Sequence, residues 1–488
     1  MRTSLLLLFS LLTIIAEAQK KNKSAVKFSQ TITAADLKTM LYVLASPEME
    51  GRETGTEGQR KAAEYLKQQF QRIGIAEGNN GNYEQFYPVY KDTLTEAQVQ
   101  INGNNYSFGK DFIALLNSII SSKQYFSEVV YMSKIDTTTD IRGKAVVLVA
   151  KNGTQLPSNS ELFKLYSKQP AVVFFIQNNI DKQQSLRNSR MYTNIYKARQ
   201  TPVVIRISEA MGEVLLKTDF AKAKEQTLET KIIATELMFS INKENKIIQA
   251  SNVLGMIEGT DKKDEWIIIS AHYDHIGMNN GKVNPGADDD GSGTVGVLEI
   301  AEAFAKAKAA GKGPRRSILF LIVSGEEKGL WGSDYYTNHP VYPLEKTSLD
   351  INIDMIGRKD DNLKSLDSNN HVYLIGDDKI SSELPRFVDS INNLYIKIIT
   401  DRKYNDPKDP NRLYYRSDHY NFAQKGIPIV FFFDGIHKDY HKPSDTPDKI
   451  NYDLQERRTR LVFLLAWEAA NRNEMMKRDK PLPEVSAR

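Results

Sequence analysis

The chain has 488 residues, 41% of them hydrophobic, and a formal net charge of +4 at pH 7. That is enough to bury a large core in more than one folding unit. The small net charge, with no Lys/Arg run interleaved with aromatics, argues against a nucleic-acid partner. The lack of any cysteine excludes disulfides, thiolate metal ligands and a lipid-modified cysteine.

Arg2, the apolar stretch from Ser4 to Ile15 and Ala16-Glu17-Ala18 make the pattern of a secretory signal over residues 1–18, with Gln19 as the new first residue. The stretch is too short to span a bilayer, and no other apolar run approaches membrane length. The expected protein is therefore exported, with no membrane span. The absence of cysteine fits a bacterial envelope, periplasmic or secreted.

Residues 28–116 are expected to begin the main domain. GRETGTEG reads as a Gly/Thr-rich loop, and Glu57 to Ile73 as an amphipathic helix with Ala63, Leu66, Phe70 and Ile73 on one face and Gly74 as its stop. From 117 to 245 the character changes to short β-rich runs: Glu128–Met132, Ala145–Val149, Ala171–Ile176, Val203–Ile207 and Lys231–Ala234. Polar loops separate them, so this stretch reads as an inserted domain.

From 246 to 474 apolar strands and helices alternate. Strands are expected at Val253–Ile257, Trp266–Ser270, Ser317–Val323, Leu349–Ile353, Val372–Ile375, Ile396–Ile399 and Ile429–Phe433. Helices are expected at Thr294–Lys308, Ser381–Asn393 and Leu454–Asn471. Continuous apolar strands between helices imply a buried, mixed but mostly parallel sheet covered on both faces, an α/β three-layer sandwich. The charged tail from Met475, with its two prolines, is expected to be loose.

Several polar segments sit at or just after these strands, where ligand crevices of open α/β sheets form. His272-Tyr273-Asp274 follows a strand, and a carboxylate two residues on can orient a metal-binding imidazole. GADDDGSG packs Asp288, Asp289 and Asp290 between glycines; clustered carboxylates repel unless a cation compensates. Gly291, Gly293 and Gly296 also make a formal G-x-G-x-x-G match. The three preceding acids would repel a pyrophosphate, so it is not read as a dinucleotide site.

In Glu326-Glu327 one carboxylate can hold metal while the other moves a proton. Asp354 follows another strand. Tyr440 beside His441 can donate to a developing oxyanion. Ser444-Asp445-Thr446-Pro447 reads as a turn or cap. Ser417-Asp418-His419 reads as a helix start lining the same cleft, without an assigned role. His339, His371 and His437 are read as structural. A nitrogen and oxygen donor set without sulfur suits zinc, and cobalt or manganese after it.

In this order, the segments closely resemble the M28 family of co-catalytic zinc peptidases, from GRETGTEGQRKAAEYL to YHKPSDT. The resemblance implies a zinc-peptidase-like sandwich holding two Zn2+ per chain. His272 and Asp354 would hold one ion, Glu327 and His441 the other, and Asp289 would bridge them through a strained peptide to Asp290. Glu326 would be the general base, Asp274 would orient His272, and Tyr440 would stabilise the tetrahedral intermediate. The implied activity is an exopeptidase that releases N-terminal residues from peptides through a zinc-bound hydroxide.

The insert is placed like a protease-associated domain, and its runs RGKAVVLVA and PAVVFFIQ are similar to that domain. Rival readings are a glutaminyl cyclase with one zinc, a carboxypeptidase or dipeptidase using Arg412 or Arg416 for the substrate carboxylate, and a non-catalytic binding module. The sequence leaves the oligomeric state open.

Overall fold

The apolar runs after residue 246 become the strands of one sheet in the computed structural model. It describes residues 20–116, 121–135, 138–151, 153–178, 180, 188–194, 201–218, 229–361, 363 and 370–482. The expected signal segment lies outside these residues. The chain forms two compact units: one joins the residues up to Tyr87 with those from Ala250 onward, and the other is Pro88–Gln249.

In the first unit the strands are β1 (Lys231–Ile257, its C-terminal end only), β2 (Lys262–His272), β3 (Arg316–Val323), β4 (Thr347–Ile353), β5 (His371–Ile375), β6 (Ile399–Asp401) and β7 (Ile429–Phe433). Their order is β6-β5-β7-β4-β2-β3-β1. β2 runs parallel to β3 and β4, and β4 parallel to β7. β1 and β5 run antiparallel to β3 and β7. The sheet is thus mixed and mostly parallel, as the sequence implied.

Both faces are buried, which is why the strands are apolar without alternation. Ile267, Ile269, Phe320, Ile351 and Phe432 enter one core, with residues from α1 (Lys23–Ser29), α2 (Ala34–Leu44), α3 (Glu57–Arg72), α4 (Gly293–Ala309), α6 (Leu384–Tyr395) and α8 (Tyr452–Asn471). Ile268, Leu319, Leu321 and Phe431 enter the other, with residues from α5 (Trp331–Asn338) and α7 (His419–Gln424). This gives three layers.

In the second unit, strands Ser122–Tyr131, Ala145–Val149, Val172–Ile176 and Val203–Ile207 run parallel in that order, with Phe112–Leu115 antiparallel at the edge. The unit begins at Pro88, where the sequence reading placed an insert over 117–245. Leu94, Val99, Ile101 and Phe112 belong to its core. The polar residues between them hide that membership from composition.

Two other expectations are corrected. The strand expected at Ile396–Ile399 begins only at Ile399. The Asn392 side chain accepts from Ile398 N–H at 2.9 Å and donates to its carbonyl at 2.7 Å, which holds the chain in a turn after α6. The tail expected to be loose from Met475 is docked as far as it is described. Met476 is 3% exposed, its N–H donates to Ser348 Oγ at 2.9 Å, and Arg478 donates to the Leu344 carbonyl at 3.0 Å.

Candidate metal centre and active-site cleft

Because β2, β3, β4 and β7 run the same way, their carboxyl ends open on one edge of the sheet. His272 ends β2, Asp354 follows β4, and Glu326 and Glu327 lie in a short turn after β3, reached through Gly325 in the left-handed region. Tyr440 and His441 lie beyond β7, and Asp289 comes from the loop leading into α4. Parallel topology therefore gathers segments far apart in sequence.

The structure brings the expected ligand residues together around Asp289. His272 Nε2 lies 3.4 Å from Asp289 Oδ1 and 3.6 Å from Asp354 Oδ1. His441 Nε2 lies 3.0 Å from Asp289 Oδ2 and 3.2 Å from Glu327 Oε2. One carboxylate thus presents an oxygen to each imidazole. Glu326 Oε2 stands 4.0 Å from His272 Nε2, on the Asp354 side.

Asp290 is also close, but its oxygens accept the N–H groups of His272 (3.1 Å), Gly293 (3.0 Å) and Met355 (2.9 Å). That makes it a brace for the loop rather than a free ligand. The peptide between Asp289 and Asp290 is cis.

A buried polar frame holds these groups. Arg52 is fully buried and donates to the carbonyls of Tyr273 (2.7 Å), Leu44 (3.1 Å), Pro285 and Gly286 (2.9 Å), tying the end of β2 to the acidic loop. Asp445 Oδ2 accepts Asp288 N–H at 3.0 Å and Asp289 N–H at 3.3 Å. Asp274 accepts from Thr54 Oγ1 at 2.7 Å and from Glu326 N–H at 3.2 Å. Its carboxylate stands 3.6 Å from His272 Nδ1, whereas its backbone carbonyl is 3.1 Å away. Asp274 thus orients both the imidazole and the backbone of Glu326.

Burial drives the Glu326 carboxyl well above its ordinary range; His272 opposes this, while Glu327, Asp354 and Asp418 add to it. Burial works against charging the His441 ring, but Asp289 and Glu327 outweigh it and push it up to about 10. His272 is likewise raised, with Asp354 the leading carboxylate against the cost of burial. Protons are thus drawn to the imidazoles to offset clustered negative charge, a role a divalent cation fills by displacing them.

His272 Nε2, Asp289 Oδ2 and Glu327 Oε1 are buried without a hydrogen-bond partner. Buried polar atoms are otherwise nearly always paired. Two imidazoles and three carboxylates converging with unpaired lone pairs fit a metal centre of the kind zinc takes.

Beside it lies a pocket walled by Met355, Leu413, Phe431, Phe433 and Ile436, with Asp289, Glu326 and Asp354 at its polar end. Tyr440 and Arg416 line it too; the Tyr440 hydroxyl accepts from Arg416 at 3.1 Å, and its ring stacks on His441 at 3.9 Å. Arg412 does not line this pocket; its guanidinium sits over the Tyr415 ring.

The Ser417-Asp418-His419 knot lies behind the cleft. His419 Nε2 donates to the Tyr414 carbonyl (2.9 Å), its ring stacks on Phe431, and burial holds it down to about 3, so it is a neutral core histidine. His437 pairs with Asp288 at 3.1 Å, also inside the frame.

The sequence reading missed His275, which is fully buried with Nδ1 2.7 Å from Glu327 Oε1. An imidazole three residues after another at a strand end was the available signal.

Residues 252–466 match the model of peptidase family M28. Leucine aminopeptidase 1 of Sclerotinia sclerotiorum is 30% identical over 232 residues, 45% of this chain and 56% of that protein. Leucine aminopeptidase 2 of Trichophyton rubrum is 27% identical over 221 residues, 41% of each chain. The chain thus spans about half the length of the curated relatives it matches.

Among solved structures, the aminopeptidase from Aneurinibacillus sp. strain AM-1 superposes with a TM-score of 0.55 at 19% identity, covering 95% of this chain and 98% of that one. The zinc aminopeptidase from Bacillus subtilis gives 0.54 at 18%, covering 93% and 99%. At these identities the likeness establishes the fold.

Proposed function

We propose that this chain, which carries a peptidase family M28 domain over residues 252–466, is a zinc aminopeptidase that holds two zinc ions and releases apolar N-terminal residues from peptides. The observation that carries this reading is the place of Asp289 between two imidazoles, one oxygen facing His272, which also neighbours Asp354, and the other facing His441, which also neighbours Glu327, with Glu326 left over.

Bound zinc supplies Lewis acidity toward a substrate carbonyl and toward water. Glu326 takes a proton from the attacking water and returns it to the leaving amine. It lines the pocket with its N–H fixed by Asp274, which leaves its carboxylate directed to this work. The Tyr440 hydroxyl, itself accepting from Arg416, donates a hydrogen bond to the oxyanion as the carbonyl becomes tetrahedral. Met355, Leu413, Phe431, Phe433 and Ile436 take an apolar first side chain, and the carboxylates at the mouth hold the free α-amino group.

Export is part of the same proposal and rests on the pattern of residues 1–18. Among the described residues no helix is long and apolar enough to cross a membrane. The Pro88–Gln249 unit is proposed as a protease-associated-type domain that supplies none of the ligands.

The test is metal content of the purified protein beside hydrolysis of an aminoacyl-p-nitroanilide panel with and without chelator. About two zinc per chain, with chelator-sensitive release that favours leucine over charged residues, is expected. One zinc with cyclisation of N-terminal glutamine and no hydrolysis would move the chain to the cyclase reading.

A further inference from the structure

His275 is a buried histidine whose nearest charged neighbour is Glu327, a carboxylate of the candidate metal centre. The core histidine His419 has its Nε2 at 2.9 Å from a backbone carbonyl and its ring stacked on Phe431. His275 is equally buried, yet neither of its ring nitrogens has a hydrogen-bond partner. Nor does Glu327 Oε1, although it lies only 2.7 Å from His275 Nδ1. His275, Glu327 and Asp289 each offer a ligand atom within 4.8 Å of the others, a spacing that one cation can span.

Asp289 Oδ2 lies 3.9 Å from His275 Nδ1. The His441 ring flanks that of His275 edge-on, with centroids 5.7 Å apart at 77°. The ring is held in place: His275 N–H donates to the Arg52 carbonyl at 3.3 Å, and a Cβ on Gly286, whose φ is +54°, would lie 2.6 Å from the ring. Glycine at 286 leaves the room that the imidazole fills.

We infer that His275 is a further ligand at the Glu327–His441 metal position, which makes the two positions chemically unequal. The inference rests on the metallopeptidase reading and extends it. One position has His272, Asp354 and Asp289. The other has His275, His441, Glu327 and Asp289. Four protein donors complete a tetrahedral zinc, whereas three leave a place for a reacting group. The pocket agrees with this division: Asp354 and Glu326 line it, and Glu327 and His275 do not. The nitrogen-rich position is then the tight, anchoring one, and the His272–Asp354 position is the open one that faces substrate.

The test is zinc titration of the chelator-stripped full-length protein by calorimetry, wild type against His275→Gln, with zinc K-edge absorption on both. The expected result is two unequal binding classes in the wild type and a tighter class weakened at least about 100-fold in the variant. The absorption spectrum should count three imidazoles over two zinc ions in the wild type and two in the variant. A variant that binds both ions as the wild type does overturns the inference and leaves the metallopeptidase reading standing. So does weaker binding with an unchanged imidazole count, which would make His275 only a support for Glu327. Wild-type protein that binds no zinc overturns both readings. The wild-type imidazole count does not depend on the variant folding: three supports the assignment, and two removes it.

Discussion

Glu326 and Glu327 are adjacent in sequence but differ in task because the backbone turns between them. Glu327 meets His441 at 3.2 Å, while Glu326 faces the pocket with its N–H fixed by Asp274. Replacing Glu326 with Gln keeps the shape and removes the proposed base. The expected result is a fall in kcat of roughly 100- to 10,000-fold with zinc content unchanged, read by steady-state kinetics and elemental analysis on one preparation. Loss of zinc from that variant would instead mark Glu326 as a ligand.

The pair alone is a weak signal, since adjacent glutamates are common on surfaces, and it was legible only beside the other polar segments that follow strands. Arg52 was not. Its role depends on carbonyls at residues 44, 273, 285 and 286, which only the fold brings within reach.

Among the elements not read from sequence are two whose stability is borrowed. Helices Asn159–Ser167 and Glu209–Leu216 are short, and each relies on a serine cap, Ser158 and Ser208. Such helices are marginal in isolation.

In the second unit Asp92 is buried and accepts from Lys243 Nζ at 2.7 Å, Asn245 at 3.0 Å and the Tyr192 hydroxyl at 3.0 Å, joining three separate stretches of chain. Asp92→Asn removes a buried carboxylate that Lys243 faces at 2.7 Å and is expected to cost about 3–5 kcal/mol, measured by urea unfolding. A change under about 1 kcal/mol would mean the pair is exposed to water in solution.

In α4, Glu299 is 2% exposed and accepts Thr33 N–H at the start of α2. Burial raises it from 4.5 to about 7; the Thr33 bond opposes this, and Asp36 and Glu302 add to it. A carboxyl raised on folding binds more protons in the native state than in the unfolded one. It therefore favours folding below about pH 4.5, and that contribution is lost as pH rises through about 7. Glu299→Gln keeps the acceptor and is expected to gain roughly 2 kcal/mol at pH 8 while flattening the decline between these pH values. Equal pH slopes for variant and parent would exclude the effect.

At the scale of the whole molecule, the proposed ligands come from segments between His272 and His441, so a cation bound there would tie the first unit together and leave Pro88–Gln249 untouched. Calorimetry with and without chelator is expected to show two transitions, only one of which moves. At zinc near 100 times its dissociation constant, each site should add about 2.7 kcal/mol to that unit. A chelator shift shared equally by both transitions would mean the units unfold as one.

Much of this centre was set by the sequence alone. Apolar runs of strand length between amphipathic helices dictate a sheet buried on both faces. A parallel sheet then sends the residues after its strands to one edge. That is why His272, Glu326, Glu327, Asp354 and His441 could be grouped before any coordinates. The tertiary structure decided what lies outside that rule. The second unit starts at Pro88 because its first strand carries apolar residues among many polar ones. The tail docks because the Ser348 hydroxyl and the Thr347 and Leu344 carbonyls, at and just before the start of β4, accept from it. His275 enters the site because β2 has already ended, so strand alternation no longer says where its ring points, and the left-handed glycine at 286 leaves the space beside Glu327.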